Sequence, residues 1–373
     1  MKNKTFHIIG MPHLPISKKY KACAFTNKIH GIARMILDMG HSVFLYGVGY
    51  TDIEHENLRF FPVVDLADIR TEWGSGDNRF EVGYNWKKFG FRHDINSPAS
   101  QTTLKFREKT IKIINQYKAD DHFLLLSQGV YQKPIANAVK LFLTIEPLIG
   151  YRGSYSRFRA FESSYIQNFT YGSEHPRKSI NGNYYDRVIP NYLDPDDFIF
   201  GETPDNVLAY CGRIIVRKGI ATAMKVADYL DIELLIAGQG SMKDIPYKSP
   251  RARHIGTLDA DERKLFMAKT KVGFLPTLYL EPFGTASIEF MYSGAPMITT
   301  NFGVFPETIR NGVGGYRCDT LNDFVENTKK ALYLDRSIVR DYAERFTMET
   351  IAPKFNKWFS DLYMLYQSTM CTN

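Results

Sequence analysis

The sequence predicts an α/β protein built from two similar halves, and three observations carry that prediction. Short apolar strand runs alternate with helix-period runs along nearly the whole chain, the pattern of parallel sheets covered by crossover helices. The 373 residues suffice for two or three domains at roughly 100–200 residues each. A stretch rich in Pro, Asp and Gly at 190–206 interrupts the alternation and reads as the linker between halves.

The first half opens with a strand over 6–10. Residues 22–39 read as a helix, with Phe25, Ile29, Ile32, Ala33 and Ile36 at helical spacing and Gly40 as its stop. Strands follow at 42–46 and 59–64, then a helix at 101–117 and a short buried strand at 122–126. Between them, 71–98 is aromatic, Gly-rich and irregular, holding Trp73, Phe80, Tyr84, Trp86, Phe89 and Phe91. It reads as a long loop or insertion, either covering a site or forming a small satellite core.

The second half repeats the pattern. Strands are expected at 207–211, 233–237, 272–275 and 297–300, with helices at 220–230, 261–268 and 286–291. An aromatic amphipathic helix at 351–367 closes the chain.

Bulk properties bound the function classes. With 44% hydrophobic residues the chain buries a large core and is not a disordered one. Residues 1–10 carry too short an apolar run for a signal peptide. No stretch approaches the roughly 20 apolar residues of a membrane-spanning helix. Cys23, Cys211, Cys318 and Cys371 are scattered without metal-site spacing, so the reading is a reduced, cytoplasmic protein with no metal. The formal charge of +7 favours an anionic partner: a nucleotide, a nucleic acid or an acidic membrane surface.

The segment Leu280-Glu281-Pro282-Phe283-Gly284-Thr285-Ala286-Ser287-Ile288-Glu289 carries the most chemistry. A strand runs into a loop, and Pro282 and Gly284 set a tight turn before a helix starting near Thr285. The amides of Phe283, Gly284 and Thr285 then stand free at a helix N-terminus, a place for a phosphate or a sugar oxygen. Glu281 falls in the loop and Glu289 one turn into the helix, a carboxylate pair suited to polyhydroxylated ligands. Each has a plainer reading alone: Glu289 as dipole compensation, Glu281 as a surface acid.

A second segment, Gly212-Arg213-Ile214-Ile215-Val216-Arg217-Lys218-Gly219, leaves the carboxyl end of a strand. Arg213 and Lys218 there can grip a diphosphate, or can be ordinary solvated cations. Gly238, Gly240, Gly256 and Thr257, then 301–307, follow other strands, where glycine lets a ligand approach the backbone.

Together these residues resemble the retaining glycosyltransferases of family 4. Glu281 and Glu289 resemble its two-glutamate signature, and Gly212-Arg213 with Lys218-Gly219 its Gly-Arg…Lys-Gly segment. The run from Asn301 through Glu307 to Gly312 and Gly315, the stretch 188–194, and Gly40-His41-Ser42-Val43 resemble further family motifs. The likeness is dense over 188–318 and only an outline before it.

The resemblance implies the GT-B fold: two Rossmann-like α/β/α domains facing across a cleft, with the C-terminal helix packing back on the first. Residues 1–194, with 351–373, would form the acceptor side, and 195–350 the donor side. It implies that Arg213 and Lys218 neutralise the diphosphate of a nucleotide-sugar donor, a UDP-sugar on this reading. Glu289 would hold the ribose and Glu281 the sugar hydroxyls. The Phe283-Gly284-Thr285 backbone would cradle the sugar and distal phosphate, Gly256 and Thr257 would meet the base, and Gly212, Gly238 and Gly240 would line the site. No cofactor or metal is implied, in keeping with the lack of an Asp-x-Asp motif.

The sequence departs from the family in its first half. The loop after the first strand, 10–20, is longer and basic, and Ser127-Gln128-Gly129 stands where a histidine is usual. Gly10, His13, Lys19, Gln128 and Arg152 are the acceptor-side candidates. Residues 149–163 resemble a subset of such enzymes from phages and bacteria, which would place the protein in a host cytoplasm if phage-encoded.

Lys18, Lys19, Lys21, Lys28, Arg79, Lys87, Lys88, Arg92, Arg152, Arg157 and Arg159, interleaved with aromatics, suit nucleic acid. Phage enzymes that glycosylate hydroxymethylated cytosine in DNA make DNA one expected acceptor. Surface polysaccharide or a lipid-linked glycan is the rival, without integral membrane association. A sugar-nucleotide epimerase and an inactive binding module are two further readings.

Overall fold

A computed structural model describes residues 3–21, 23–73, 100–174 and 182–370. The chain divides into two compact units, one of Met1–Glu162, Ile166–Ile189 and Ala352–Asn373, the other of Ser163–Tyr165 and Pro190–Ile351.

The first unit holds a seven-stranded sheet of β1 (Thr5–Ile9), β2 (Ser42–Val48), β3 (Leu58–Val64), β4 (Phe123–Leu125), β5 (Thr144–Ile149), β6 (Phe158–Phe161) and β7 (Arg187–Val188). Their order is β3-β2-β1-β4-β5-β6-β7, and every pairing is parallel. Strands covered on both faces read as unbroken apolar runs, as Phe-Leu-Leu of β4 does. The Ala24–Asp38 helix buries Ile29, Ile32, Ala33 and Ile36, the face its spacing predicts. The Met348–Met370 helix returns to this unit: Phe359 packs on Phe6 and Phe123, and the Trp358 indole donates to the Tyr185 carbonyl at 2.8 Å.

The second unit repeats the plan with six parallel strands: β8 (Leu208–Cys211), β9 (Leu234–Ala237), β10 (Ala252–Gly256), β11 (Val272–Leu275), β12 (Met297–Thr300) and β13 (Gly315–Cys318). Their order is β10-β9-β8-β11-β12-β13. The order reverses between β8 and β11, so the loops leaving those neighbours diverge and open a crevice at their carboxyl ends. The Ala260–Lys269 helix starts on a reciprocal cap between Asp259 and Glu262.

Arg336 locks the far side of this unit. Its guanidinium donates to the carbonyls of Gly201 (2.5 Å), Thr270 (2.8 Å), Ala268 (2.9 Å) and Ser293 (3.1 Å). Ala268 and Thr270 end the Ala260–Lys269 helix, and Ser293 ends the Thr285–Tyr292 helix. The cation therefore meets the negative ends of two helix dipoles, with no carboxylate partner among the described residues. Burial lowers its pKa to about 10, which still leaves it charged at neutral pH.

Some elements escaped the pattern reading. The expected irregular stretch 71–98 begins inside a helix, Leu66–Trp73, and its Phe80, Tyr84, Trp86, Phe89 and Phe91 lie outside the described residues. Strands β5, β6, β7 and β13 and the helices Lys133–Val139, Ser164–Glu174, Leu321–Ala331 and Arg336–Ala343 were not assigned from sequence. β6, β7 and β13 are two to four residues long, too short for a period to register, β5 carries Glu146 and Pro147 in its middle, and Arg336–Ala343 is half polar.

Candidate functional site

The loop leaving β8 and the loop leaving β11 supply the site, as the strand reversal between them requires. Along the first, Cys211 leads to Gly212 and an exposed Arg213, then to a turn over Val216–Lys218. Gly238, at φ +139, presses on this loop so closely that an added Cβ would stand 1.9 Å from the Gly212 carbonyl oxygen. Only glycine satisfies both the backbone angle and the approach. Ile214 N–H donates to the Gln239 carbonyl at 2.7 Å, and Gly238 N–H to the Gly256 carbonyl at 2.7 Å. Gly212, Gly238, Gly240 and Gly256 are thus brought to one sheet edge, with Thr257 beside them.

The β8 and β11 loops meet at Lys218 and Glu281. Lys218 Nζ donates to Glu281 Oε2 at 2.7 Å and to the Tyr279 hydroxyl at 2.7 Å. Tyr279 in turn donates to the same Glu281 oxygen at 2.6 Å. The Lys218 and Glu281 side chains are each 12% exposed, so water screens the pair little. Burial and the Glu281 carboxylate push the Tyr279 hydroxyl pKa far up, against the opposing charges of Arg213 and Arg217. Tyr279 carried no motif, and only the structure reveals it. Arg217, also set aside, stacks its guanidinium 5.1 Å from the Tyr279 ring.

Gly284, at φ +74, turns the chain into the Thr285–Tyr292 helix and leaves its start without a side-chain cap. Among the described residues no group accepts from the N–H groups of Gly284, Thr285 or Ala286. The Phe283 side chain is core, edge-on to Phe346, so only its backbone faces the turn. The buried Asn191 amide donates to Thr285 Oγ1 at 3.2 Å, which ties the 188–194 motif to the helix start. Val304 N–H donates to the Glu281 carbonyl at 3.1 Å, which sets 301–307 beside that residue.

Glu289 lies in the second turn of this helix, buried at 4% exposure and ion-paired with Arg263. Arg263 comes from the Ala260–Lys269 helix, and its charge opposes the upward push that burial gives the Cys211 thiol. Sequence reasoning missed it, because one arginine on a charged helix carries no spacing signal. Among the described residues no group of three or more His, Cys, Asp or Glu side chains is placed to hold a metal ion.

The acceptor-side candidates fall in the first unit at the ends of β1, β4 and β5. Gly10 N–H bonds the Tyr46 carbonyl at 2.8 Å. His13 proves buried rather than an exposed loop histidine, with Nε2 3.3 Å from Cys23 Sγ. Gln132, not flagged from sequence, ties two of these loops: it accepts from Ser127 N–H at 2.7 Å and donates to the Gly10 carbonyl at 2.9 Å. Gln128 is buried beside it, and Lys19 is exposed. Arg152 is exposed, 5.0 Å from the Phe169 ring.

Two cations of the expected nucleic-acid surface are committed elsewhere. Lys28 pairs with the buried Glu162. Arg159 is buried and bonded to Asp186 and Glu174 at 3.1 and 2.8 Å. Arg79, Lys87, Lys88 and Arg92 lie outside the described residues.

Residues 195–345 match the family of glycosyl transferases group 1. A glycogen synthase from Mycobacterium tuberculosis is 31% identical over 147 residues, which cover 35% of this chain and 35% of that protein. The match thus spans about a third of that relative's length. Among solved structures, AviGT4, a glycosyltransferase involved in avilamycin A biosynthesis, is similar at a TM-score of 0.66 and 17% identity, covering 97% of this chain and 98% of its own. Anabaena HepE in complex with UDP-glucose is similar at 0.59 and 14%, covering 96% and 99%. These structures share the fold of two Rossmann-like parallel-sheet domains. No helix among the described residues is long and apolar enough to cross a membrane.

Proposed function

We propose, from a second unit that matches the group 1 glycosyltransferases, that the protein transfers a sugar from a nucleotide-diphosphate donor to an acceptor hydroxyl. One observation carries this reading. The Lys218–Glu281–Tyr279 cluster stands beside the uncapped helix start at Gly284, in the crevice where β8 and β11 diverge. A sugar diphosphate needs both kinds of group: acceptors for its hydroxyls and cations with amide donors for its phosphates.

In this mechanism Lys218 and the exposed Arg213 neutralise the diphosphate as the bond to the anomeric carbon breaks. The amides at Gly284 and Thr285 meet the distal phosphate and sugar. Glu281 orients sugar hydroxyls, and Glu289, held by Arg263, takes the ribose. Charge on the leaving group is met by side chains and a helix dipole in place of a metal, and the resemblance to the retaining family favours retention at the anomeric carbon. A uridine carrier is supported by the UDP-glucose complex of the structurally similar HepE.

The acceptor is a carbohydrate hydroxyl, as the resemblance to a glycogen synthase favours. The DNA alternative loses Lys28 and Arg159 to internal ion pairs. The test is a mass-spectrometric screen of UDP-, GDP- and ADP-sugars against glycan acceptors and hydroxymethylated DNA. Donor-dependent product on a glycan supports the reading, and product on DNA overturns the acceptor. Donor consumed into an epimer, or no donor bound at all, overturns the transferase.

A further inference from the structure

His13 and Cys23 meet at the start of the Ala24–Asp38 helix, with Nε2 of one 3.3 Å from Sγ of the other. Cys23 is the residue preceding the first helical turn, in extended conformation, so its sulfur faces the positive end of the helix dipole. Burial raises the pKa of this thiol. The charge and hydrogen bond of His13, with the Thr26 backbone and hydroxyl, outweigh burial and bring it down to about 7. The comparison thiols differ: burial pushes Cys211 up and Cys318 up to about 12.

A second observation points the same way. His13 is 8% exposed, yet its Nδ1 finds no partner among the described residues. Leaving a buried polar atom unmet costs about 1–3 kcal/mol. Sulfur is a weak acceptor for a neutral imidazole N–H. The ring is therefore set to accept the Cys23 thiol hydrogen at Nε2, which leaves its own hydrogen on Nδ1. Nδ1–H is then a donor with no acceptor until a small oxygen-bearing molecule supplies one.

We propose that Cys23 and His13 form a reactive thiol site that takes small oxidants of the hydroperoxide class and small alkylating electrophiles. With hydrogen peroxide, the Cys23 sulfur attacks one oxygen as its proton passes to His13 Nε2, and an S–O bond forms as the O–O bond breaks. The electron pair leaves with the second oxygen as hydroxide, and the proton taken up by His13 Nε2 passes to it to give water. Sulfur is oxidised by two electrons to the sulfenic acid, and the peroxide is reduced. Nothing in this step depends on sugar transfer.

The full-length protein, native at pH 7, is treated with limiting hydrogen peroxide and dimedone, and separately with iodoacetamide. Peptide mass spectrometry then quantifies each cysteine. Cys23 should be modified at least tenfold faster than Cys211 and Cys318. His13→Gln should slow Cys23 several-fold, and Thr26→Val, which removes only the hydroxyl, by less, with circular dichroism unchanged. Cys23 reacting no faster than the other two in the unmutated protein overturns the proposal, and needs no variant to fold. So does a Cys23 rate untouched by both substitutions.

Discussion

The Nζ of Lys218 and Oε2 of Glu281 stand 2.7 Å apart, joining two loops 63 residues apart in sequence. The Tyr279 hydroxyl bonds both partners, so the carboxylate is oriented even without ligand. On the proposed reading, donor phosphate would compete for Lys218 while Tyr279 keeps Glu281 in place.

Lys218→Ala and Glu281→Ala should each cut transfer by about 10²-fold or more, the scale for losing one preorganised charge-stabilising group. Tyr279 retains one hydrogen bond in either variant, so the fold should survive. Steady-state kinetics with circular dichroism checks this, and turnover like the parent's in either variant would refute the site.

Tyr279→Phe should be milder. The direct Lys218–Glu281 bond remains, and the lost hydroxyl costs about 1 kcal/mol of stability, as for an ordinary hydrogen bond. We expect kcat to fall severalfold with donor KM nearly unchanged. A large rise in donor KM instead would place Tyr279 on the donor rather than behind Glu281.

Arg263→Ala strands the Glu289 carboxylate at 5% side-chain exposure. Its partner is 28% exposed, so the cost should fall below the fully buried range, at about 1–3 kcal/mol. Donor KM should rise. Adding Glu289→Gln should recover stability but not KM, and a double-mutant cycle by thermal melting reads the coupling. Additive losses would show that the pair does not interact.

Acid should loosen the first unit before the second. His7 and His41 are fully buried, and burial above all lowers their pKa values to about 3 and about 4. Both stay neutral in the fold, whereas the unfolded chain protonates near 6.5. The unfolded state therefore binds more protons below that pH, and stability drains away as pH falls from about 6.5 towards 4. His254 is the only histidine of 190–351, and it is exposed. Hydrogen exchange at pH 7, 5.5 and 4.5 should show protection lost first in β1 and β2. Parallel loss in both sheets would contradict this.

Sequence periodicity was enough for the layered halves, because parallel strands covered on both faces leave unbroken apolar runs such as 123–125. The loop residues Lys218, Glu281 and Gly284 were legible because strand ends, tight turns and charge leave local signals. Arg263, Tyr279 and Gln132 were not. Their roles come from tertiary juxtaposition, which no spacing along one segment encodes. The burial of His13 was not legible, because the burial of residues 11–17 depends on contacts outside that stretch, such as Ile16 with Thr51.

Arg336 has a consequence for cooperativity. One guanidinium closes the ends of the helix that carries Arg263 and the helix that carries Glu289. Fraying of either end leaves a half-buried positive charge facing fewer carbonyls, which disfavours fraying at one end alone. The two helices therefore open as a single block rather than independently, and a substitution at this remote position would loosen both halves of the Arg263–Glu289 contact at once.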